Sequence, residues 1–346
     1  MRSMKNKVKM AAAVLSVAMI VSACSAPQLI EETTGALQAG ESAAPQAALD
    51  QNYSFTVGTS SSGGSVYAIG AGLSNLLSSK IEGLDLRAVA TGGAVDNIGL
   101  MANGEVQISL NAANTNFMAH DGSLAGMEKQ ENLRGICTLY PSVIHFLTAR
   151  DSGIETAADL KGTSGAVGAA GSASECYSND ILGFYGYDYK KRKDVEPVFT
   201  ASTGAVDLFK DGHIDWAFFP LGVPGSNVLD LAMSGKINIL PIAGDDQKKL
   251  LEKYSYYVPY TIPGGTYQGF DEDIDTIACT IVLTVDADVD EEVVYQMTKC
   301  IWENMEEVTQ IADSLKWMAK ETAVDGLGVP LHAGAERYYK EIGWIQ

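Results

Sequence analysis

Phe55-Thr56-Val57-Gly58-Thr59-Ser60-Ser61-Ser62-Gly63-Gly64-Ser65-Val66-Tyr67-Ala68-Ile69 sets the theme of the chain. Phe55 and Val57 alternate as in a strand. Thr59 to Ser65 are all small, and Val66, Ile69, Leu73, Leu76 and Leu77 then return at helical spacing. One strand, one glycine–serine loop and one amphipathic helix make a βα unit. The unit recurs. Leu84 to Ala90 is followed by Thr91-Gly92-Gly93 and a helix carrying Val95, Ile98 and Met101; Val106 to Leu110 is followed by Asn111-Ala112-Ala113-Asn114. Further along, Gly165 to Val167 leads into Gly168-Ala169-Ala170-Gly171-Ser172-Ala173-Ser174 and a helix with Cys176, Ile181 and Leu182. Val198-Phe199 leads into Thr200-Ala201-Ser202-Thr203 and a helix with Val206, Leu208 and Phe209. Such alternation predicts a parallel α/β sheet.

Two segments break the rhythm. Ile136 to Arg150 and Ile277 to Val285 are long β-branched runs, too apolar for surface loops, and read as one crossing outward and one crossing back. The chain from Tyr53 onward also exceeds the length at which one core usually stops growing. The expectation is a type II periplasmic-binding-protein-like α/β fold with a central cleft: residues 53–140 plus 285–346 form lobe 1 and residues 141–284 form lobe 2. The last third reads as helical, with Val293, Met297, Cys300, Ile301, Met305 and Val308 on one face and a further helix over Ile311 to Lys320. Cys137 and Cys279 fall one on each crossing and so are candidates to lie side by side. With Cys176 and Cys300 they show no zinc-type spacing, and free thiols are the expectation.

Outside the folded part, Arg2, Lys5, Lys7 and Lys9 precede an uncharged run from Met10 to Ala23, a signal-peptide pattern (residues 1–23) too short to span a membrane. The run ends in Val21-Ser22-Ala23-Cys24, read as a lipobox with Cys24 the lipidated residue, which places the protein outside the cytoplasm and anchored to the membrane surface. Residues 24–52 carry few large apolar side chains and read as a flexible tether. The formal charge of −19 becomes −23 without the four basic leader residues, which argues against nucleic acid as a partner.

Several strings resemble the TAXI branch of solute receptors for tripartite ATP-independent periplasmic (TRAP) transporters. They are Gly58 to Tyr67, Thr91-Gly92-Gly93-Ala94-Val95-Asp96-Asn97, Ala158-Asp159-Leu160-Lys161-Gly162, Ile262-Pro263-Gly264-Gly265-Thr266-Tyr267 and Pro330-Leu331-His332-Ala333-Gly334-Ala335-Glu336-Arg337-Tyr338-Tyr339, in order from Tyr53 to Gly343. The last string and Ile262 to Tyr267 are the specific ones; Ala158 to Gly162 is shared by many two-lobed receptors. The resemblance implies no catalysis, transport through separate membrane subunits driven by an ion gradient, and glutamate, glutamine or a related carboxylate as ligand. The chain departs from the pattern at Ser60-Ser61-Ser62, where glycine and threonine are commoner, and at Ala169-Ala170, where a proline often stands.

Ligands of open parallel sheets sit beyond the carboxyl ends of the strands, where each loop opens a helix whose first amides lack partners. Candidate ligand contacts are therefore Ser61, Ser62, Gly63, Tyr67, Thr91, Gly92, Gly93, Asn111, Asn114, Tyr140, Ser172, Ser174, Glu175, Phe219 and Gly222. No lysine or arginine falls in these loops, so amides and hydroxyls are expected to hold a carboxylate. Glu175, in the first turn of its helix, either complements the helix dipole or meets a substrate ammonium. Asn111 and Asn114 either meet the ligand or serve turn chemistry, Tyr67 caps the cleft or packs, and Tyr140 is hinge or wall. His145, on an apolar strand, reads as a satisfied core histidine. A hydrolase is the weaker alternative, because nucleotide and nucleophile motifs are missing and no histidine neighbours these serines. The reading needs no cofactor or metal. A second alternative keeps the fold and makes it a ligand-sensing module for a signalling partner.

Overall fold

The computed structural model describes residues 47–62, 65–170 and 172–346; the leader, Cys24, most of the tether and Gly63 lie outside the described residues. Strand β1 (Ala47–Gly58) pairs in parallel with β2 (Ile81–Val89) and β3 (Ile108–Ala112), joined by α1 (Ser65–Lys80) and α2 (Ala94–Ala102). Ile69, Leu73 and Leu77 of α1 are buried at helical spacing, as the apolar pattern requires. Strand β1 begins six residues before Tyr53, because Ala47 and Ala48 pair with Ile81 and Glu82. Edge pairing uses main-chain groups, so an alanine-rich segment joins it without an apolar signature.

Two long antiparallel strands organise the rest. β4 (Leu133–Ala149) and β10 (Ile274–Asp286) run side by side from Leu133 opposite Asp286 to Val143 opposite Ala278. Near one end β10 pairs with β3; beyond the middle, β4 pairs with β7 (Trp216–Leu221) and β8 (Ile237–Leu240), and β10 with β9 (Tyr257–Ile262). β5 (Ser164–Ala166) and β6 (Glu196–Val198) extend the far side, giving one sheet in the order β2-β1-β3-β10-β4-β7-β5-β6. The two crossings expected from the β-branched runs are thus the shared spine of both halves. One apolar cluster is drawn from Val57 to Tyr140 and Leu283 to Tyr339, another from Val143 to Ala278, and a third seals the seam with Ala113, Val282 and Leu327 beside second-half residues.

Cys137 and Cys279 do not lie side by side. Cys137 faces Leu283 and Cys279 faces Ser142, and both are buried free thiols. Leu283 lies four positions along β10 from Cys279, so the β4–β10 register keeps the two thiols apart, and burial pushes each thiol up to about 12.

Helices α3 (Ala113–Asp121), α4 (Ala173–Phe184), α5 (Ser202–Lys210), α6 (Ser226–Ser234) and α7 (Gly244–Lys253) complete the βα units. At the C-terminus α8 (Glu291–Glu303) is followed by α9 (Met305–Ile311). The helix expected over Ile311 to Lys320 is instead a single 3-10 turn, Asp313–Trp317, because Ala312 is extended and ends the helical run.

The string from Pro330 to Tyr339 builds scaffold. His332 caps α10 (Ala333–Glu341) by accepting from the Gly334 N–H, and a Cβ on Gly334 would sit 2.2 Å from the Glu291 carbonyl oxygen, so only glycine lets α10 press on α8. The Tyr339 hydroxyl accepts from the Trp302 Nε1–H at 2.8 Å and donates to the Ile136 carbonyl at 3.1 Å, pinning α10 to the outgoing crossing strand.

Candidate functional site

The expected loops stand at the carboxyl ends of their strands: 59–62 after β1, 90–93 after β2, 167–170 with Ser172 after β5, 199–201 after β6 and 222–225 after β7, with α3 following β3 directly. In the first half two loops are tied together. The Thr91 N–H donates to the Ser60 carbonyl at 3.1 Å, and the Thr91 hydroxyl lies 3.0 Å from the Thr59 carbonyl. Gly93, at φ 105°, is the N-cap of α2 and offers no side chain to its first amides, which stay available to a guest. Asp96 takes up the Gly92 N–H at 2.8 Å. Ser61 and Ser62 are exposed and Tyr67 is half-buried. The Tyr140 phenol, buried and pushed up to about 12, is hydrogen-bonded to Ser65 at the start of α1, tying the crossing strand to the first loop.

The asparagines divide. Asn111 is buried and engaged by Asn97, Ser109 and Asn116. Asn114 is equally buried; its Oδ1 accepts from the Thr115 N–H at 2.8 Å, while its Nδ2 has no hydrogen-bond partner.

In the second half Ser172 caps α4 by accepting from the Glu175 N–H at 3.2 Å. Gly168, at φ 95°, lets the loop fold onto that turn, where a Cβ would sit 2.7 Å from the Glu175 nitrogen. Ser174 is half-buried. The Glu175 carboxylate accepts from the Tyr189 hydroxyl at 2.8 Å. Phe219 is core, edge-on to Phe209, and contributes its carbonyl to His145 rather than a ring to the cleft.

His145 is fully buried, with Nδ1 at 3.1 Å from the carbonyls of both Val143 and Phe219. Two acceptors there require the proton on Nδ1, so Nε2 accepts from the Tyr267 hydroxyl at 2.7 Å. Tyr267 in turn accepts from the Gly225 N–H at 2.9 Å. Burial lowers the imidazole pKa to about 4. The Ile262 to Tyr267 string thus steadies the 222–225 loop from behind.

Two cavities flank the spine. One, of about 470 Å³, is lined by Val95 of α2, Met118 of α3, Ser123 to Ala125, then Glu175, Cys176, Asn179 and Asp180 of α4, with Tyr189 and Lys190. It joins Glu175 to the first turn of α2, two features expected at one cleft. The other, of about 450 Å³, lies between Pro141, Val143, Gly222 to Pro224 and Tyr260 on one side and Asp313, Ser314 and Trp317 on the other.

Residues 57–343 match one protein-family model over most of the chain. The chain belongs to the NMT1-like family. Two solved structures share the fold of this NMT1-like chain. A TctC solute binding protein from Polaromonas superposes with TM-score 0.51 at 16% identity, covering 88% of this chain and 99% of that one. A putative periplasmic sulfonate-binding protein SsuA from Methylobacillus flagellatus superposes with TM-score 0.53 at 12% identity, covering 86% and 96%. The fold is therefore the mixed α/β, two-lobed type of periplasmic binding proteins.

Several cavity residues of the NMT1-like chain escape sequence reading. Lys190 arrives from a 3-10 turn, Tyr189–Lys191, inside a basic run that reads as solvated surface. Asp180 is buried, accepts from Tyr256 and Tyr257 at 2.7 and 3.1 Å, and has its pKa raised by burial. Its partners lie more than 70 residues away, so no local pattern announces them. Val95, expected on the apolar face of α2, is 43% exposed at the cavity. Among the described residues no helix is long and apolar enough to cross a membrane.

Proposed function

We propose that the protein is an extracytoplasmic receptor that captures a small carboxylate or amino acid, glutamate and glutamine being the leading candidates, and delivers it to the integral subunits of a TRAP-type transporter. Lipid on Cys24 would hold it at the membrane surface. The supporting observation is the cavity lined by α2 and α3 from one half and α4 from the other, with helix amino ends opening onto the same gap.

The physics favours a charged guest of modest size. Helix amino termini contribute about 0.3 to 1 kcal/mol each to an anion, and up to about 2 when partly buried; micromolar capture needs about 8 kcal/mol. Lys190 adds a cation, so amides and hydroxyls need not hold a carboxylate alone. The overall negative charge opposes this weakly, because charges beyond about 8 Å are screened at physiological ionic strength.

A thermal-shift screen of L-glutamate, L-glutamine, 2-oxoglutarate and C4 dicarboxylates on lipid-free protein tests the proposal. A ligand at about a hundred times its Kd stabilises by about 2.7 kcal/mol. A flat response across the whole panel removes the carboxylate reading.

A further inference from the structure

The Thr91 to Asn97 string ends on a side chain that the loops leave unexplained. Asn97 lies in the first turn of α2 and is wholly buried. Its Nδ2 donates to the Thr59 carbonyl at 2.8 Å, and its Oδ1 accepts from the Thr91 hydroxyl at 2.7 Å. That hydroxyl accepts in turn from the Gly93 N–H at 3.2 Å. One carboxamide therefore touches the loop after β1 and the loop after β2.

The same Nδ2 reaches Asn111 Oδ1 at 3.1 Å; Asn111 Nδ2 donates to Asn116 Oδ1 at 3.0 Å, and Asn116 Nδ2 to the Thr284 hydroxyl at 2.8 Å. Thr284 lies on β10, the returning crossing strand. Every donor in the series Thr91, Asn97, Asn111, Asn116 points the same way, so each bond polarises the next. The amides are buried, which makes an incomplete chain costly. The surroundings are shaped to it: a Cβ on Gly58 would fall 2.6 Å from Asn97 Oδ1.

We infer that Asn97 is a positioning residue for ligand capture, setting the two glycine-bearing loops against each other through its direct bonds to Thr59 and Thr91. The ligand side of this inference rests on the proposed receptor function; the loop geometry does not.

The test compares Asn97→Ala with Asn116→Ala, two truncations of buried amides in one chain, one at the loops and one remote from them. Hydrogen exchange of peptides covering 59–62 and 91–93 should quicken about tenfold in Asn97→Ala and change by less than about twofold in Asn116→Ala. L-glutamate titrated calorimetrically should bind about tenfold more weakly to Asn97→Ala and within about twofold of wild type to Asn116→Ala. Equal effects in the two variants, or unaltered loop exchange in Asn97→Ala, overturn the inference. If Asn97→Ala does not fold, Thr91→Val should quicken exchange of the same peptides, with Thr91→Ser restoring it; no change in Thr91→Val overturns the inference as well. If wild type gives no heat with L-glutamate, the failure belongs to the proposed ligand, and loop exchange alone decides for or against Asn97.

Discussion

In the first half the cleft loops are fastened largely by neutral side chains, Thr91, Asn97, Asn111 and Asn116, with the Asp96 carboxylate on the Gly92 N–H, whereas the fastenings of the second half include a buried imidazole and a buried carboxyl. His145 and Tyr267 steady the 222–225 loop, and Tyr189 meets Glu175 at the start of α4. Deeper along α4, Tyr256 and Tyr257 meet Asp180. A neutral network keeps its geometry over a wide pH range. The buried imidazole of His145 keeps its contacts only while it stays neutral, so acid should loosen the 222–225 loop that it braces through Tyr267.

The largest break in that symmetry comes from His145. Its folded pKa of about 4 lies below the unfolded value, so the unfolded chain binds the proton first. The stability is complete above about pH 6.5 and is lost as pH falls toward 4, by about 3 kcal/mol. His332, lowered by its own burial, acts in the same direction. Urea melts at pH 7 and pH 4.5 should show His145→Gln losing much less stability than wild type over that interval; parallel losses would refute the assignment.

Next comes Tyr267→Phe, which strands both His145 Nε2 and the buried Gly225 N–H. It should cost about 2 kcal/mol in a thermal melt, with faster exchange confined to the 222–225 loop. Asp180→Asn sharpens the contrast with the opposite sign. Burial raises this carboxyl, so its charge is a cost above the ordinary carboxylate range. The amide keeps an acceptor for both tyrosines. In urea melts the variant should be more stable than wild type at pH 7, with the gain shrinking toward pH 4 as the native carboxyl takes its proton. The smallest effect belongs to the first half. Arg337 stacks over Tyr295 and pairs with Glu291 and Glu292 on an exposed face, so Arg337→Ala should cost under about 1 kcal/mol and respond to added salt.

What could be read from the sequence follows from what is local. Glycine–serine loops between strand and helix patterns announce themselves, and so do crossing strands when β-branched runs outlast an ordinary strand, as at Ile136 and Ile277. Register is not local. Whether Cys137 meets Cys279 depends on the register of β4 against β10, which sets Cys137 opposite Leu283 and which no composition signals. The cavity lining is divided in the same way: Glu175 is legible from its place in a helix's first turn, while Asp180, Lys190 and Met118 gather only once α3 and α4 are brought together. The chain's most distinctive strings carry the resemblance rather than the site: the side chains of Pro330 to Tyr339 clamp helices, and Tyr267 braces a loop.

The pairing of Tyr140 with Ile281 and of Pro141 with Thr280 means that the second half leaves the first and re-enters it at adjacent points. In engineering terms the two crossings make a single splice point. A two-residue turn of the Asn-Gly kind joining Tyr140 to Ile281 would close the first half around an apolar cluster that already runs from Val57 to Tyr140 and from Leu283 to Tyr339, and a foreign module spliced between the same two residues would inherit its mouth.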